Sequence, residues 1–232
     1  MHRIDIPQSF VDGVIARRGR LDRFPRLDAR RTALVVIDLQ NGFMLPGMPV
    51  AVPTALEIVP NVNRLARAIR AGGGQVVWVQ MSSAENYGGW TVFGQGFSDE
   101  FRARVAESLR PGSHGYALHA DLGALPEDLR IDKTRFSAFI QGSSDLDARL
   151  RERGIDTVVV TGTVTNICCE STARDAMMLD YKVVFPSDAN AAVTDDEHNA
   201  TLRNMIRTFA DVCTTDEAIA RFGGIGELAA AE

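Results

Sequence analysis

The chain has 232 residues with 25 Lys and Arg against 30 Asp and Glu, a formal charge of −5, and is 45% hydrophobic and 24% charged. This composition excludes collagen-like, low-complexity and disordered chains and is enough for one sizeable core. The longest purely apolar run, residues 33–37, is far short of the roughly 20 residues of a bilayer span, and an acidic chain lacks the positive field that nucleic acid requires; neither membrane nor nucleic acid is an expected partner.

The N-terminal stretch has acids at Asp5 and Asp12 and no apolar leader segment, so a cytoplasmic chain is expected. Residues 17–31 (RRGRLDRFPRLDARR) hold seven arginines against Asp22 and Asp28 and read as a solvated arm or a subunit contact. The expected organisation is an N-terminal arm, 1–31, followed by one domain, 32–232.

From residue 32 buried-strand runs alternate with helical periodicity, the pattern of a parallel α/β sheet. Strands are expected at 33–38, 75–80, 129–132, 155–162, 181–186 and 210–213. Helices are expected at 54–71, with Leu56, Val59, Val62, Leu65 and Ile69 on one stripe, and at 99–109, 143–153, 166–179 and 195–208. The long segment 81–98 has no periodicity and mixes Tyr87, Trp90, Phe93 and Phe97 with four glycines. It reads as a lid or pocket wall, or else as an aromatic satellite core.

Ligands of open parallel sheets sit beyond the carboxyl ends of the strands. There the first strand ends at Asp38, the third at Lys133, and the fourth runs through the turn TVTN into a helix that opens at Cys168. A cysteine at a helix N-terminus beside an ammonium is favoured as thiolate, and Asp38 could hold Lys133 and accept the thiol proton. Amides of the turn could bind an oxyanion, and Thr165 or Asn166 could cap the helix. Each residue also has a bland reading as turn, solvated or core residue; Cys169 and Cys213 are read as core. Competing motifs are missing: no Asp-x-Asp after the first strand, no G-x-S-x-G, no G-x-G-x-x-G in place, and no H-x-x-x-H or C-x-x-C. No metal and no cofactor are expected.

The blocks LVVIDLQNGF, IDKTRFSAFIQGSSDL and VVVTGTVTNICCESTARDAMMLDYKVV, in this order, resemble the isochorismatase-like cysteine hydrolase superfamily over roughly residues 32–222. The resemblance implies a doubly wound, Rossmann-like sheet of about six parallel strands with helices on both faces. It implies an Asp-Lys-Cys triad at Asp38, Lys133 and Cys168 and a cis peptide at Thr163–Val164 that aims the Val164 and Cys168 amides at an oxyanion. A homodimer or homotetramer follows from the same source. A cysteine at the nucleophile position favours C–N over vinyl-ether hydrolysis, and the absence of histidine from GFMLPGMPVAVP departs from metal-dependent nicotinamidases. The remaining features are similar to N-carbamoylsarcosine and ureidoacrylate amidohydrolases.

The expected activity is hydrolysis of a small carboxamide or ureido compound through a covalent Cys168 intermediate; an isochorismatase-type vinyl-ether hydrolase and a catalytically silent binding subunit stand as alternatives. Phe43, Trp90, Phe93, Phe136, Phe139 and Asn166 are candidates for the substrate pocket, the aromatics equally readable as core. Arg135 could meet an anionic substrate or make a salt bridge.

Overall fold

The computed structural model describes residues 1–223, without the side chains of Glu85 and Asn86; residues 224–232 of the expected domain lie outside it. In chain order the elements are α1 (Gln8–Arg18), β1 (Thr32–Ile37), α2 (Asn41–Met44), α3 (Val59–Ala71), β2 (Gln75–Met81), α4 (Ala84–Gly89), α5 (Thr91–Gln95), α6 (Asp99–Ser108), β3 (Leu129–Lys133), α7 (Leu146–Glu152), β4 (Thr157–Thr163), α8 (Glu170–Met178), β5 (Lys182–Pro186), β6 (Asn190–Ala191), α9 (Asp195–Asn204), β7 (Asp211–Cys213) and α10 (Thr215–Ala220). A single π-type turn, Thr165–Cys169, leads into α8, and another, Met205–Phe209, follows α9.

All six expected strands form, paired in parallel in the order β3-β2-β1-β4-β5-β7, and a seventh, the two-residue β6, pairs with the end of β4. The alternation of β1 explains the layers. Leu34 and Val36 face a core built with α3 and α10, while Ala33, Val35 and Ile37 face one built with α7, α8 and α9. Both faces are apolar because helices cover both, as a doubly wound sheet demands.

Gly162 marks the tightest point between the central strands. It pairs with Ile37 across β4 and β1, takes φ 119°, and a Cβ there would lie 2.1 Å from Ile37 O. Backbone cannot yield as a side-chain tip can, so Gly162→Ala is expected to cost about 3 kcal/mol and to lower the melting temperature by roughly 10 °C. Differential scanning calorimetry reads this directly.

Three arginines of the basic stretch bind the same chain, while Arg20, Arg26 and Arg30 lie exposed. Arg17 donates to Arg207 O at 2.6 Å, Arg18 to Ile206 O at 2.7 Å and Arg23 to Thr208 O at 2.9 Å. These carbonyls lie in the turn that follows α9, where a helix leaves its last acceptors unpaired and its dipole is negative. Buried Asp211 accepts the amides of Arg23 and Phe24 and pairs with Arg221. The basic run is thus a brace onto the same chain, its charge matched to a helix end.

Segment 81–98 differs from the expected irregular loop. It folds as the short helices α4 and α5, and Tyr87 joins Phe43, Met81, Val105 and Leu109 in a third, satellite core against which Trp90, Phe93 and Phe101 pack. Trp90 stacks on Phe93 with centroids 4.8 Å apart, and Phe136 meets Trp90 edge-on at 4.8 Å. The aromatic residues of the segment thus form a satellite core.

Candidate active site

The chain runs from β1 outward through β2 to β3 and from β4 outward through β5 to β7, so the switch in direction falls between β1 and β4. Asp38 follows β1, and the turn bearing Cys168 follows β4; Ile37 and Gly162 are register partners. Lys133 ends β3, two strands from β1 and three from β4, and its long side chain crosses the end of β2. There its Nζ lies 3.4 Å from Met81 Sδ, 2.8 Å from Asp38 Oδ2 and 3.5 Å from Cys168 Sγ, and donates to Arg135 O at 3.1 Å. The three residues singled out by strand-end reasoning therefore meet in one place. Asp38 reaches it through a left-handed φ of 54°, a conformation that costs a non-glycine residue roughly 1–2 kcal/mol. Gln40, missed as a site residue, fixes the crossing point: its Nε2 donates to Met81 O at 3.0 Å and its Oε1 accepts from Met81 N at 2.8 Å.

The ion pair is fully buried on both sides and Cys168 is 3% exposed. Burial pushes the Asp38 carboxyl above its ordinary value, with the Lys133 ammonium opposing. For Lys133 burial pulls downward, but the charge of Asp38, with the contact to Cys168 Sγ, outweighs it and holds the group up, as an ammonium. Burial pushes the Cys168 thiol up to about 12 despite Lys133. The macrodipole argument assumed a solvated helix start, whereas the sulfur sits in a dry site next to a carboxylate. Burial thus opposes the thiolate that the helix start and Lys133 favour, and raises the basicity of the carboxylate beside it.

The turn after β4 contains a cis peptide at Thr163–Val164, at the place the resemblance implied. Neither Thr165 nor Asn166 caps the following helix. Thr165 Oγ1 instead lies 2.9 Å from Nδ1 of the buried His198, whose Nε2 is 3.0 Å from Ser187 O. His2 stacks on the same imidazole with centroids 4.4 Å apart. Burial first, then His2, lowers the His198 pKa from 6.5 to about 4, with Asp195 opposing. An unfolded chain therefore binds a proton here between pH 6.5 and 4 that the folded chain refuses, so stability is present above pH 6.5 and falls as the pH drops. Wild type is expected to lose on the order of 3 kcal/mol over this window, and His198→Asn to lose less; urea titrations at pH 7 and pH 4.5 compare the two slopes.

The family model of the isochorismatase domain matches residues 32–217. The chain belongs to the isochorismatase family. Among relatives, it is 32% identical over 228 residues to a ureidoacrylate amidohydrolase RutB of Caulobacter vibrioides, covering 91% of this chain and 94% of that one. A cysteine hydrolase from Pseudomonas syringae pv. phaseolicola superposes with a TM-score of 0.77 at 31% identity, covering 90% of this chain and 98% of that one. An N-carbamoylsarcosine amidase from Thermoplasma acidophilum does so with 0.65 at 27% identity, covering 80% and 97%. The chain is accordingly an isochorismatase-family hydrolase, and no helix among its described residues is long and apolar enough to cross a membrane.

Around the triad of this isochorismatase-family fold the predicted pocket residues divide. Phe139 packs against Tyr181 with centroids 5.3 Å apart in the main core, and Phe43 is buried in the satellite core. Their apolarity is spent on packing. Trp90, Arg135 and Phe136, with Ile140, Ser171 and Met178, line a surface cleft of about 470 Å³ that the triad does not line. Arg135 is not available to an anion in this state: its guanidinium donates to the carbonyls of Tyr87 at 2.5 Å and Gly88 at 3.2 Å and lies 5.2 Å from the Trp90 ring centre. Asn166 is half-buried beside Cys168, with Oδ1 accepting no hydrogen bond among the described residues.

Proposed function

We propose that this chain is a cysteine amidohydrolase that cleaves the C–N bond of a small carboxamide or N-carbamoyl compound. The observation that carries the reading is the thiol of Cys168 standing 3.5 Å from Lys133 Nζ, which itself lies 2.8 Å from Asp38. A vinyl-ether hydrolase has no use for a nucleophile at that position. The similarity to proteins called ureidoacrylate amidohydrolase and N-carbamoylsarcosine amidase supports the substrate class.

In this reading the Cys168 sulfur bonds to the carbonyl carbon while the thiol proton passes to Asp38, whose raised pKa makes it the better base. The carbonyl electrons move onto oxygen, within reach of the Val164 and Cys168 amides. As they return, the C–N bond breaks and Asp38 gives its proton to the departing nitrogen, leaving a thioester or thiocarbamate. Water then adds to that carbon with Asp38 taking its proton, and the C–S bond breaks to restore the thiol. Lys133 stays an ammonium and balances the charge of Asp38 throughout. Asn166, whose Oδ1 accepts no hydrogen bond among the described residues, supplies a polar group against the substrate.

The test sets ureidoacrylate, N-carbamoylsarcosine and isochorismate against the purified chain. Ammonia from a ureido compound, with a mass adduct on Cys168 in quenched samples, is the expected result. Pyruvate from isochorismate without an adduct would overturn it.

A further inference from the structure

Thr165 opens the turn that presents Cys168, three residues further on. A threonine in that place ordinarily turns its oxygen onto an amide two or three residues ahead, here Ile167 or Cys168. Among the described residues no backbone N–H donates to Thr165 Oγ1; its polar neighbour is His198 Nδ1 at 2.9 Å. The partners assign the protons. Ser187 O only accepts, so His198 Nε2 carries the hydrogen, Nδ1 carries the lone pair, and the Thr165 hydroxyl donates to it.

The imidazole is fixed on every side. Ser187 anchors Nε2 from just beyond β5, and the ring of His2 covers one face. His2 is itself held, its Nδ1 2.8 Å from Asp195 Oδ1 and its Nε2 accepting from Ala192 N at 2.9 Å. The other support of the turn is β6, whose Ala191 O accepts from Thr163 Oγ1 at 3.2 Å. Two residues of the turn thus donate their hydroxyls away from the reacting thiol into buried acceptors.

We propose that His198 is a positioning residue for Cys168. By accepting the Thr165 hydroxyl's hydrogen bond it ties the start of the turn to α9 and holds it so that the Cys168 amide and the thiol face the acyl group together. The role rests on the cysteine-hydrolase reading above; the contact itself does not.

The variants Thr165→Val, His198→Leu, their double, and His198→Asn test it, because asparagine places an acceptor oxygen where Nδ1 stands. The measurements are kcat and KM for ammonia release from ureidoacrylate and N-carbamoylsarcosine, and the iodoacetamide labelling rate of each cysteine resolved by mass spectrometry. Thr165→Val and His198→Leu are each expected to lose about tenfold in kcat with KM within about twofold, the size of one hydrogen bond lost in the transition state. The double is expected to lose no more than the worse single variant, since the two share one contact. His198→Asn is expected to recover most of the rate. Cys168 alone is expected to label about threefold faster or more in Thr165→Val and His198→Leu, while the buried Cys169 and Cys213 report that the core stays shut.

Where wild type turns over either compound, kcat decides: Thr165→Val within twofold of wild type, or His198→Asn no better than His198→Leu, overturns the proposal. Wild type inert on both compounds counts against the cysteine-hydrolase reading, and labelling then decides the positioning role. Equal rates for Cys168 in all variants, or all three cysteines accelerating together, overturn it.

Discussion

Cys168→Ala is expected to reduce ammonia release by about 10⁴-fold or more, because removing a covalent nucleophile leaves only the positioning and oxyanion contributions of the site. The fold is expected to survive. The thiol is neutral and packed, so its loss leaves no orphaned charge and removes one sulfur from a dry site. A cost near 1 kcal/mol corresponds to a melting temperature within about 4 °C of wild type. Cys168→Ser is expected to be nearly as inactive: a serine hydroxyl is far less acidic than the thiol, and Lys133 already opposes burial without restoring a thiolate. Intact mass spectrometry on quenched reactions supplies the second readout, an adduct in wild type and none in either variant. A Cys168→Ala protein with more than about a tenth of the wild-type rate would replace covalent catalysis by direct attack of water.

The second large effect is at Asp38, where activity and stability fall together for different reasons. Asp38→Asn removes the base, worth about 10²–10⁴ in rate, and leaves the Lys133 ammonium buried without its partner 2.8 Å away. Breaking a buried ion pair on one side costs about 3–5 kcal/mol, or a drop of roughly 10 °C or more in melting temperature for a chain of this length. Kinetics measured well below that melt, on protein whose far-UV circular dichroism is native, separate the two losses. The pH profile provides the sign. The base must be unprotonated, and burial raises its pKa, so wild-type kcat is expected to fall on the acid side at a pH above the ordinary carboxylate value of 3.8, as a property of the coupled triad. Asp38→Asn is expected to lack that limb. A variant that kept it would assign the limb to another group.

The reach of the sequence follows from the kind of physics each feature uses. β1, β2 and β4 are apolar on both faces, a signal few other structures produce, and the rule that ligands sit beyond strand ends then brings Asp38, Lys133 and Cys168 together from far apart in the chain. The two-residue β6 has no periodicity to detect, and it forms because the end of β4 offers unpaired backbone. The helices α4 and α5 were hidden among glycines; the satellite core that stabilises them is assembled from Phe43, Met81 and Val105, which no local window contains. The burial that opposes ionisation of the Cys168 thiol is not visible in sequence, whereas the helix start that favours it is. His198 and Gln40 were overlooked for a similar reason: each acts through backbone carbonyls, which carry no sequence signature.

The brace of arginines and the stacked histidines have a consequence for how such a chain comes into being. His2 finds Asp195 across 193 positions, and Arg17 finds the Arg207 carbonyl across 190. Closures of that span are slow to form and are made late. During synthesis His2 and Arg17 must wait, unpaired, until Asp195 and Arg207 have been made. The sheet can assemble strand by strand, but the clasp over His198 closes only when segments 193 positions apart meet, so the support behind the reactive turn is put in place after the strands.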